Sequence, residues 1–231
     1  MSLYTIGDLH LSFSVDKPMD RFGEVWKNHP EQLKKGFSAL GDEDVCVLCG
    51  DLSWGMGLDQ CREDFAFINA LPGKKIILKG NHDYWWTTAN KISVFFRENG
   101  FNTLSLLHNN CIFYDNVALC GTRGWFYEEE KGTEHDRKML SREVLRLRAS
   151  LDAGGEKEKL VFLHYPPLTK TYRCEEILSV LKEYHVRRCF YGHLHAKACT
   201  AAYNGWADGT EFRLISADYL HFSPKIIELY D

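Results

Sequence analysis

Three side chains that can bind a metal or move a proton follow one another at Asn81, His82 and Asp83. The apolar run at residues 76–78 predicts a short buried strand, and Gly80 ends it where the backbone must turn. Open α/β sheets place their ligands and their chemistry at the carboxyl ends of core strands. The segment therefore predicts a metal or proton-transfer site, and the alternative is an ordinary polar turn between a strand and a helix.

Polar residues end four other predicted strands in the same way. They are Asp8 and His10 after the first strand, Asp51 after the second, His164 after the strand at 160–163, and His193 and His195 after the strand at 188–191. Residues two apart in an extended segment face the same side, so each such pair can point at one ion. With Asn81 these residues form a donor set without a thiolate, which suits Mn²⁺, Fe²⁺ or Zn²⁺. The set is too large for one tetrahedral ion and matches two ions about 3.5 to 4 Å apart that share a carboxylate.

These blocks, in this order, resemble the calcineurin-like metallophosphoesterase superfamily. The blocks are Asp8-Leu9-His10, Gly50-Asp51, Gly80-Asn81-His82-Asp83, His164 and Gly192-His193-Leu194-His195. The joint pattern carries the resemblance, since any one block alone is a weak signal. The resemblance implies an α/β fold, a four-layer α/β/β/α sandwich of two mixed β-sheets flanked by helices. We expect one such domain over residues 1–231, because no linker or block of like charge divides the chain.

The resemblance also implies a role for each block. One metal would be bound by Asp8, His10, Asp51 and His195, and the other by Asp51, Asn81, His164 and His193. Asp51 would bridge the two ions, His82 would assist the leaving group, and Asp83 would orient the ring of His82. The implied reaction is hydrolysis of a small phosphomonoester or phosphodiester, with nucleotides and cyclic nucleotides among the candidates, by a hydroxide that bridges the two metals.

Two positions depart from patterns within the superfamily. Trp54 stands where the second block often ends in Asp, and it cannot replace the tyrosine ligand of the purple acid phosphatase branch. Asp83 stands where the protein Ser/Thr phosphatases typically have Glu. These departures favour small esters or cyclic diesters over phosphoproteins as substrates.

Some residues are candidates for substrate binding, and each of them has an alternative structural role. Trp54 and Trp125 could stack a base or could pack helices against sheets. Arg123 lies between two glycines and could hold a substrate phosphate or form a surface salt bridge. The long segment at residues 11–30, predicted to become helical only near Glu31, could be a lid or substrate wall, or mere surface decoration.

Composition limits the classes of partner. With 45% hydrophobic residues, 26% charged residues and a net charge of −4, the chain has no basic excess for gripping a phosphate backbone, so nucleic acid is not favoured. A nuclease of the same superfamily and a catalytically silent metal-binding scaffold stay as alternative functions.

The eight cysteines predict reduced thiols. The apolar runs are of strand length and no signal-like segment precedes the first strand, so we expect a cytoplasmic protein without a membrane partner. The sequence leaves the oligomeric state open.

The remaining elements follow from hydrophobic periodicity and turn residues. The first half predicts a β-α-β-α order, and the second half is β-rich, with a hairpin at residues 111–120 around Asp115-Asn116. Helices are predicted at residues 59–71, 87–98, 134–151 and 174–184. The acidic run at residues 128–130 predicts solvated surface. The tail predicts a strand at residues 198–201, a turn at Asn204-Gly205 and an antiparallel meander.

Overall fold

A computed structural model describes residues 1–127 and 132–229, so the acidic run at 128–130 lies outside the described residues. The chain divides into two compact units. The first comprises Met1–Leu106 and Ile215–Asp231, and the second comprises Leu107–Leu214. Each unit contains one β-sheet. A single domain over residues 1–231 stays a prediction.

The described residues form strands of three to six residues and α-helices of 9 to 20 residues. The strands are β1 (Leu3–Ile6), β2 (Val45–Cys49), β3 (Lys74–Leu78), β4 (Leu104–Leu106), β5 (Cys111–Tyr114), β6 (Val117–Thr122), β7 (Glu158–Leu163), β8 (Arg188–Tyr191), β9 (Gly205–Ala207), β10 (Thr210–Leu214) and β11 (Lys225–Ile227). The α-helices are α1 (His29–Phe37), α2 (Arg62–Ala70), α3 (Ala89–Glu98), α4 (Glu134–Ala153) and α5 (Glu175–Glu183).

The sheet of the first unit has the strand order β11-β1-β2-β3-β4. Strands β1 to β4 are parallel, and β11 runs antiparallel to β1. Every residue of β2 is buried, as the apolar run at residues 45–49 predicts for a central strand. Helices α1, α2 and α3 bury their apolar residues in the same core cluster. Because β1, β2 and β3 are parallel neighbours, their carboxyl ends meet at one edge of this sheet.

The sheet of the second unit has the order β5-β6-β7-β8-β10-β9. Strands β6, β7, β8 and β10 are parallel, and the outer strands β5 and β9 are antiparallel to their neighbours. Helices α4 and α5 bury apolar residues in the core of this unit. The parallel pairing of β7 with β8 brings their carboxyl ends side by side.

The predicted α/β class, with two mixed sheets and flanking helices, is confirmed. The hairpin around Asp115-Asn116 is also confirmed. No helix among the described residues has the length and apolar character needed to cross a membrane. None of the eight cysteines, all of which lie in the described residues, forms a disulfide, and six of them are buried.

The predicted tail is partly wrong. Ala196–Ala201 forms a 3-10 helix instead of a strand; alanine is a poor strand former, and the Thr200 hydroxyl donates to the Lys197 carbonyl within the turn. The tight turn lies at Asp208-Gly209, where both residues have the positive φ that a two-residue hairpin needs. The meander is absent from the described tail, since β10 runs parallel to β8 and β11 joins the other sheet.

The segment at residues 11–30 contributes to the core of the first unit. Met19, Trp26 and His29 are buried, and 3-10 turns form at Met19–Phe22 and Glu24–Trp26 before α1 begins. The helix therefore starts two residues earlier than predicted. Because two of its largest apolar side chains are buried in the core, the segment is not mere surface decoration.

Candidate functional site

The first unit brings Asp8, His10 and Asp51 together at the carboxyl ends of β1 and β2. A carboxylate oxygen of Asp8 lies within 4.8 Å of a ring nitrogen of His10 and within 4.8 Å of a carboxylate oxygen of Asp51. The Nε2 atom of His10 is 3.8 Å from Oδ2 of Asp51. All three side chains are buried. Two carboxylates at this separation repel each other strongly away from water, so the trio is an arrangement that a divalent cation would stabilise.

The backbone at these residues differs from the extended form on which the spacing argument depends. Asp8, His10 and Asp51 have φ values of 62°, 47° and 53°, and His193 of the second unit has 71°. The left-handed form costs a non-glycine residue roughly 1–2 kcal/mol. Hydrogen bonds between the two turns offset part of this cost: the amide of Asp8 donates to the Gly50 carbonyl at 2.8 Å, and the amide of His10 donates to the Asp51 carbonyl at 2.9 Å. Asp8 and His10 therefore come together as their spacing predicts, but through left-handed turns and not along an extended strand.

Two glycines allow the turns after β2 and β3 to touch. A Cβ atom on Gly50 would lie 2.5 Å from the backbone nitrogen of Gly80. A Cβ atom on Gly80 would lie 2.1 Å from Oδ1 of Asp51. Contacts this short do not occur, so any larger residue at either position would push the Asp51 turn away from the turn after β3.

The carboxylate of Asp83 joins the same two turns. Its Oδ2 atom accepts hydrogen bonds from the amides of Asp51 at 2.9 Å and Gly80 at 2.7 Å. Its Oδ1 atom accepts from the amide of Leu52 at 2.9 Å and from the indole Nε1 of Trp85 at 3.0 Å. Asp83 therefore holds the turns after β2 and β3 together next to Asp51, and we call this set of hydrogen bonds the Asp83 brace. That Asp83 also orients the ring of His82 stays a prediction.

His82 stands half-buried beside this brace. Its amide donates to Oδ1 of Asp51 at 2.7 Å, which fixes the backbone next to the carboxylate. Its ring packs against the indole of Trp54 with centroids 4.6 Å apart. Its Nδ1 atom lies 3.2 Å from the hydroxyl of Tyr84, a hydrogen bond that fixes the ring orientation. Sequence reasoning missed Tyr84, although it stands two residues after His82.

Aromatic side chains hold the ring of His10. Trp54 stacks on it with centroids 4.9 Å apart, and Trp26 meets it edge-on at 5.8 Å. The indole nitrogen of Trp54 donates to the sulfur of Met19 at 3.2 Å, so Trp54 also packs against the segment at residues 11–30. Burial lowers the pKa of His29 nearby, and hydrogen bonds to the carbonyls of Trp26, His10 and Leu9 oppose that shift.

The second unit places three histidines at the ends of β7 and β8. His164 is fully buried, whereas His193 and His195 are half-buried. The rings of His164 and His193 have centroids 5.2 Å apart. The carbonyl of His164 accepts from the amide of Gly192 at 3.1 Å, which ties the end of β7 to the end of β8. These histidines are therefore a second set of metal-ligand candidates.

Arg123 and Trp125 take part in the structure of the second unit. The carbonyl of Arg123 accepts the amide of His164 at 3.1 Å. Its guanidinium lies 3.5 Å from Oε1 of the buried Glu143 and over the Trp125 ring at 4.9 Å. The indole of Trp125 donates to Oδ1 of Asp136 at 3.0 Å. Arg123 thus forms an ion pair, the alternative to substrate binding, and this ion pair with Glu143 is partly buried. Substrate binding by Arg123, Trp54 and Trp125 stays a prediction.

Comparison with known proteins identifies the family. A profile of the calcineurin-like phosphoesterase family matches residues 1–197, so the chain belongs to this family, as the sequence motifs predict. A search of curated proteins found no match. Among solved structures, the phosphopantetheinyl hydrolase of Mycobacterium tuberculosis has a TM-score of 0.62 and 15% identity, over 100% of this chain and 96% of that one.

Two further structures share the fold. A protein of unknown function from Aquifex aeolicus has a TM-score of 0.52 and 17% identity, over 97% of this chain and 95% of that one. A protein from Thermus thermophilus has a TM-score of 0.54 and 13% identity, over 84% of this chain and 82% of that one.

Proposed function

We propose that the protein hydrolyses a small phosphomonoester or phosphodiester with two divalent metal ions, Mn²⁺, Fe²⁺ or Zn²⁺. The ligands of one ion are Asp8, His10, Asp51 and His195, and those of the other are Asp51, Asn81, His164 and His193. The observation that carries the proposal is the buried trio of Asp8, His10 and Asp51 in a chain of the calcineurin-like phosphoesterase family.

The donor set supports this proposal chemically. Asp8 and Asp51 supply carboxylates, Asn81 supplies an amide oxygen, and the four histidines supply imidazoles, which together suit ions of borderline softness. Two buried carboxylates close together require positive charge nearby. A pair of dications meets that requirement and leaves a net positive site for a phosphate group.

Bound metals would supply the charge that stabilises the phosphorane-like transition state and would activate a water molecule as the nucleophile. His82 donates a proton or a hydrogen bond to the leaving oxygen. The amide hydrogen bond to Asp51 holds the backbone of His82 beside the ligands, and the indole of Trp54 supports one face of its ring. We assign this donation to Nε2, because the Tyr84 hydroxyl lies 3.2 Å from Nδ1.

The direct test combines metal analysis with a substrate screen. Protein reconstituted with excess Mn²⁺ should hold about two ions per chain and hydrolyse esters from a panel of mononucleotides, cyclic nucleotides, sugar phosphates and bis-p-nitrophenyl phosphate. A phosphopantetheinyl ester belongs in the panel because a structural match is a phosphopantetheinyl hydrolase. A protein that binds two ions and hydrolyses none of these esters would be the silent scaffold.

The bridging role of Asp51 has its own test. Asp51→Asn should lower the metal content and reduce kcat/KM by roughly two orders of magnitude or more, the scale for removing a group that supports transition-state charge. Asp59→Asn is the control, because the Asp59 side chain is 93% exposed and lies outside the ligand set. Full metal content and activity in Asp51→Asn would contradict the ligand assignment.

A further inference from the structure

The ammonium group of Lys17 lies over the same indole that supports His82. Its Nζ atom is 4.5 Å from the centre of the Trp54 ring and 5.9 Å from that of Phe22. Trp54 also contacts the rings of His10 and His82. One aromatic ring therefore contacts both a positive charge and the predicted general acid.

Hydrogen bonds fix the backbone that presents this charge. The amide of Lys17 donates to the Val15 carbonyl at 2.9 Å, and its own carbonyl accepts from the Ser12 hydroxyl at 2.9 Å. Pro18 follows with φ at −67°, which stiffens the next residue. Lys17 thus lies in an ordered turn of the segment at residues 11–30, and its side chain starts from a defined position.

The surroundings of this lysine differ from those of Lys74 and Lys138. Lys74 pairs with Glu43 at 2.8 Å and Lys138 pairs with Glu134 at 2.8 Å, so carboxylates neutralise their charges. The contacts that hold the Lys17 ammonium are with aromatic rings, which attract a cation without cancelling its charge. The charge is therefore available to an anion that approaches Trp54, which is half-buried.

We propose that Lys17 is a specificity-determining residue that binds a second anionic group on the leaving-group part of the substrate. The inference rests on the proposed function, because His82 marks the side from which the leaving group departs. The two proposed metal ions would neutralise the scissile phosphate, whereas Lys17 contacts the same indole ring as His82. Its counter-ion is therefore a separate carboxylate or phosphate on the leaving group, and the preferred substrate carries both anions.

The test uses a matched pair of esters, 4-carboxyphenyl phosphate and phenyl phosphate, assayed with Mn²⁺. In Lys17→Met, which keeps the apolar stem of the side chain, the preference for the carboxylated ester in kcat/KM should fall roughly tenfold. This fall lies between the loss expected for a solvent-screened surface ion pair and the loss expected for a partly desolvated ion pair. The loss should appear mainly in KM, since the anion is bound equally in the ground and transition states. Added salt should reduce the preference of the wild type in the same direction.

Controls separate the charge from the turn that carries it. Lys17→Arg should retain most of the preference, and Lys27→Met should leave both esters unaffected, because Lys27 is an exposed lysine of the same segment. A Lys17→Met variant with an unchanged preference, or one that loses rate on both esters equally, would overturn the inference.

Binding of the corresponding phosphonates, measured by calorimetry, gives a readout that needs no catalysis. We expect the wild type to bind 4-carboxyphenylphosphonate more tightly than phenylphosphonate and Lys17→Met to lose that difference. A wild type that shows this preference in binding but hydrolyses no ester would refute the proposed function and support the role of Lys17. Equal binding of the two phosphonates by the wild type would refute the role of Lys17, even in an active enzyme.

Discussion

Replacing Asp83 with alanine should cost the fold far more than an average substitution. The carboxylate is 1% exposed and accepts hydrogen bonds from three backbone amides and one indole. Asp83→Ala leaves four buried donors without this acceptor, and each such donor costs about 1–3 kcal/mol. Allowing for relaxation and entry of water, we expect a loss of about 4 kcal/mol in the free energy of unfolding, at the upper end for a single substitution.

Asp83→Asn removes only part of the hydrogen-bond acceptor capacity and should therefore destabilise the protein less than Asp83→Ala. The amide keeps one acceptor oxygen and turns its NH₂ group toward donors, so about half of the loss, about 2 kcal/mol, should remain. Asp59→Ala is the control and should change the unfolding free energy by less than about 0.5 kcal/mol, since its side chain is 93% exposed.

The assay is urea denaturation followed by circular dichroism, in the presence of a chelator so that metal binding adds nothing to the apparent stability. A loss below about 1 kcal/mol in Asp83→Ala would refute the brace. If that variant were also slow on alkyl esters, Asp83 would instead act by orienting His82.

Three further results are expected. His82→Ala should keep both metals and lose about 10² to 10⁴-fold in kcat on an alkyl phosphate, and far less on p-nitrophenyl phosphate, because the nitrophenolate departs without an acid; equal losses would point to phosphate positioning. Tyr84→Phe should show the same dependence on the leaving group with a smaller loss, and no dependence would mean that the hydroxyl does not hold the ring. Burial lowers the pKa of Lys75 to about 8 from an ordinary value of 10.5, so the unfolded chain binds this proton more tightly. The free energy of unfolding should therefore rise between about pH 8 and 10.5, and urea titrations of Lys75→Met should show a smaller rise than the wild type.

The strand ends could be predicted from the sequence because each one has a simple local signal. A short apolar run followed by glycine and a polar residue, as at Gly50-Asp51 and Gly80-Asn81, indicates a buried strand that stops at a turn. The parallel order of β1, β2 and β3 then places these residues at a single sheet edge. The ligand candidates of the first unit follow from these two facts alone.

No local sequence signal indicates the contacts that support the candidate site. The bonds of Asp83 join residues that are 31 and 32 positions apart, and nothing in the sequence indicates which amide a carboxylate accepts. The left-handed backbone of Asp8 and His10 is also set by tertiary hydrogen bonds rather than by residue type. Trp26 resembles a loop residue in sequence, and its burial depends on the core that forms around it.

The left-handed conformation of Asp8, His10, Asp51 and His193 has a consequence for protein engineering. Glycine adopts this backbone without strain, so replacing any of these residues by glycine would remove a steric cost of roughly 1–2 kcal/mol. A library selected for heat resistance alone would therefore be drawn toward glycine at Asp8, His10 and His193, whose side chains are proposed ligands, and less at Asp51, whose carboxylate accepts the His82 amide. Selection that alternates heat challenge with metal retention would keep these positions, and thermostable variants that have lost the metals should carry their changes here.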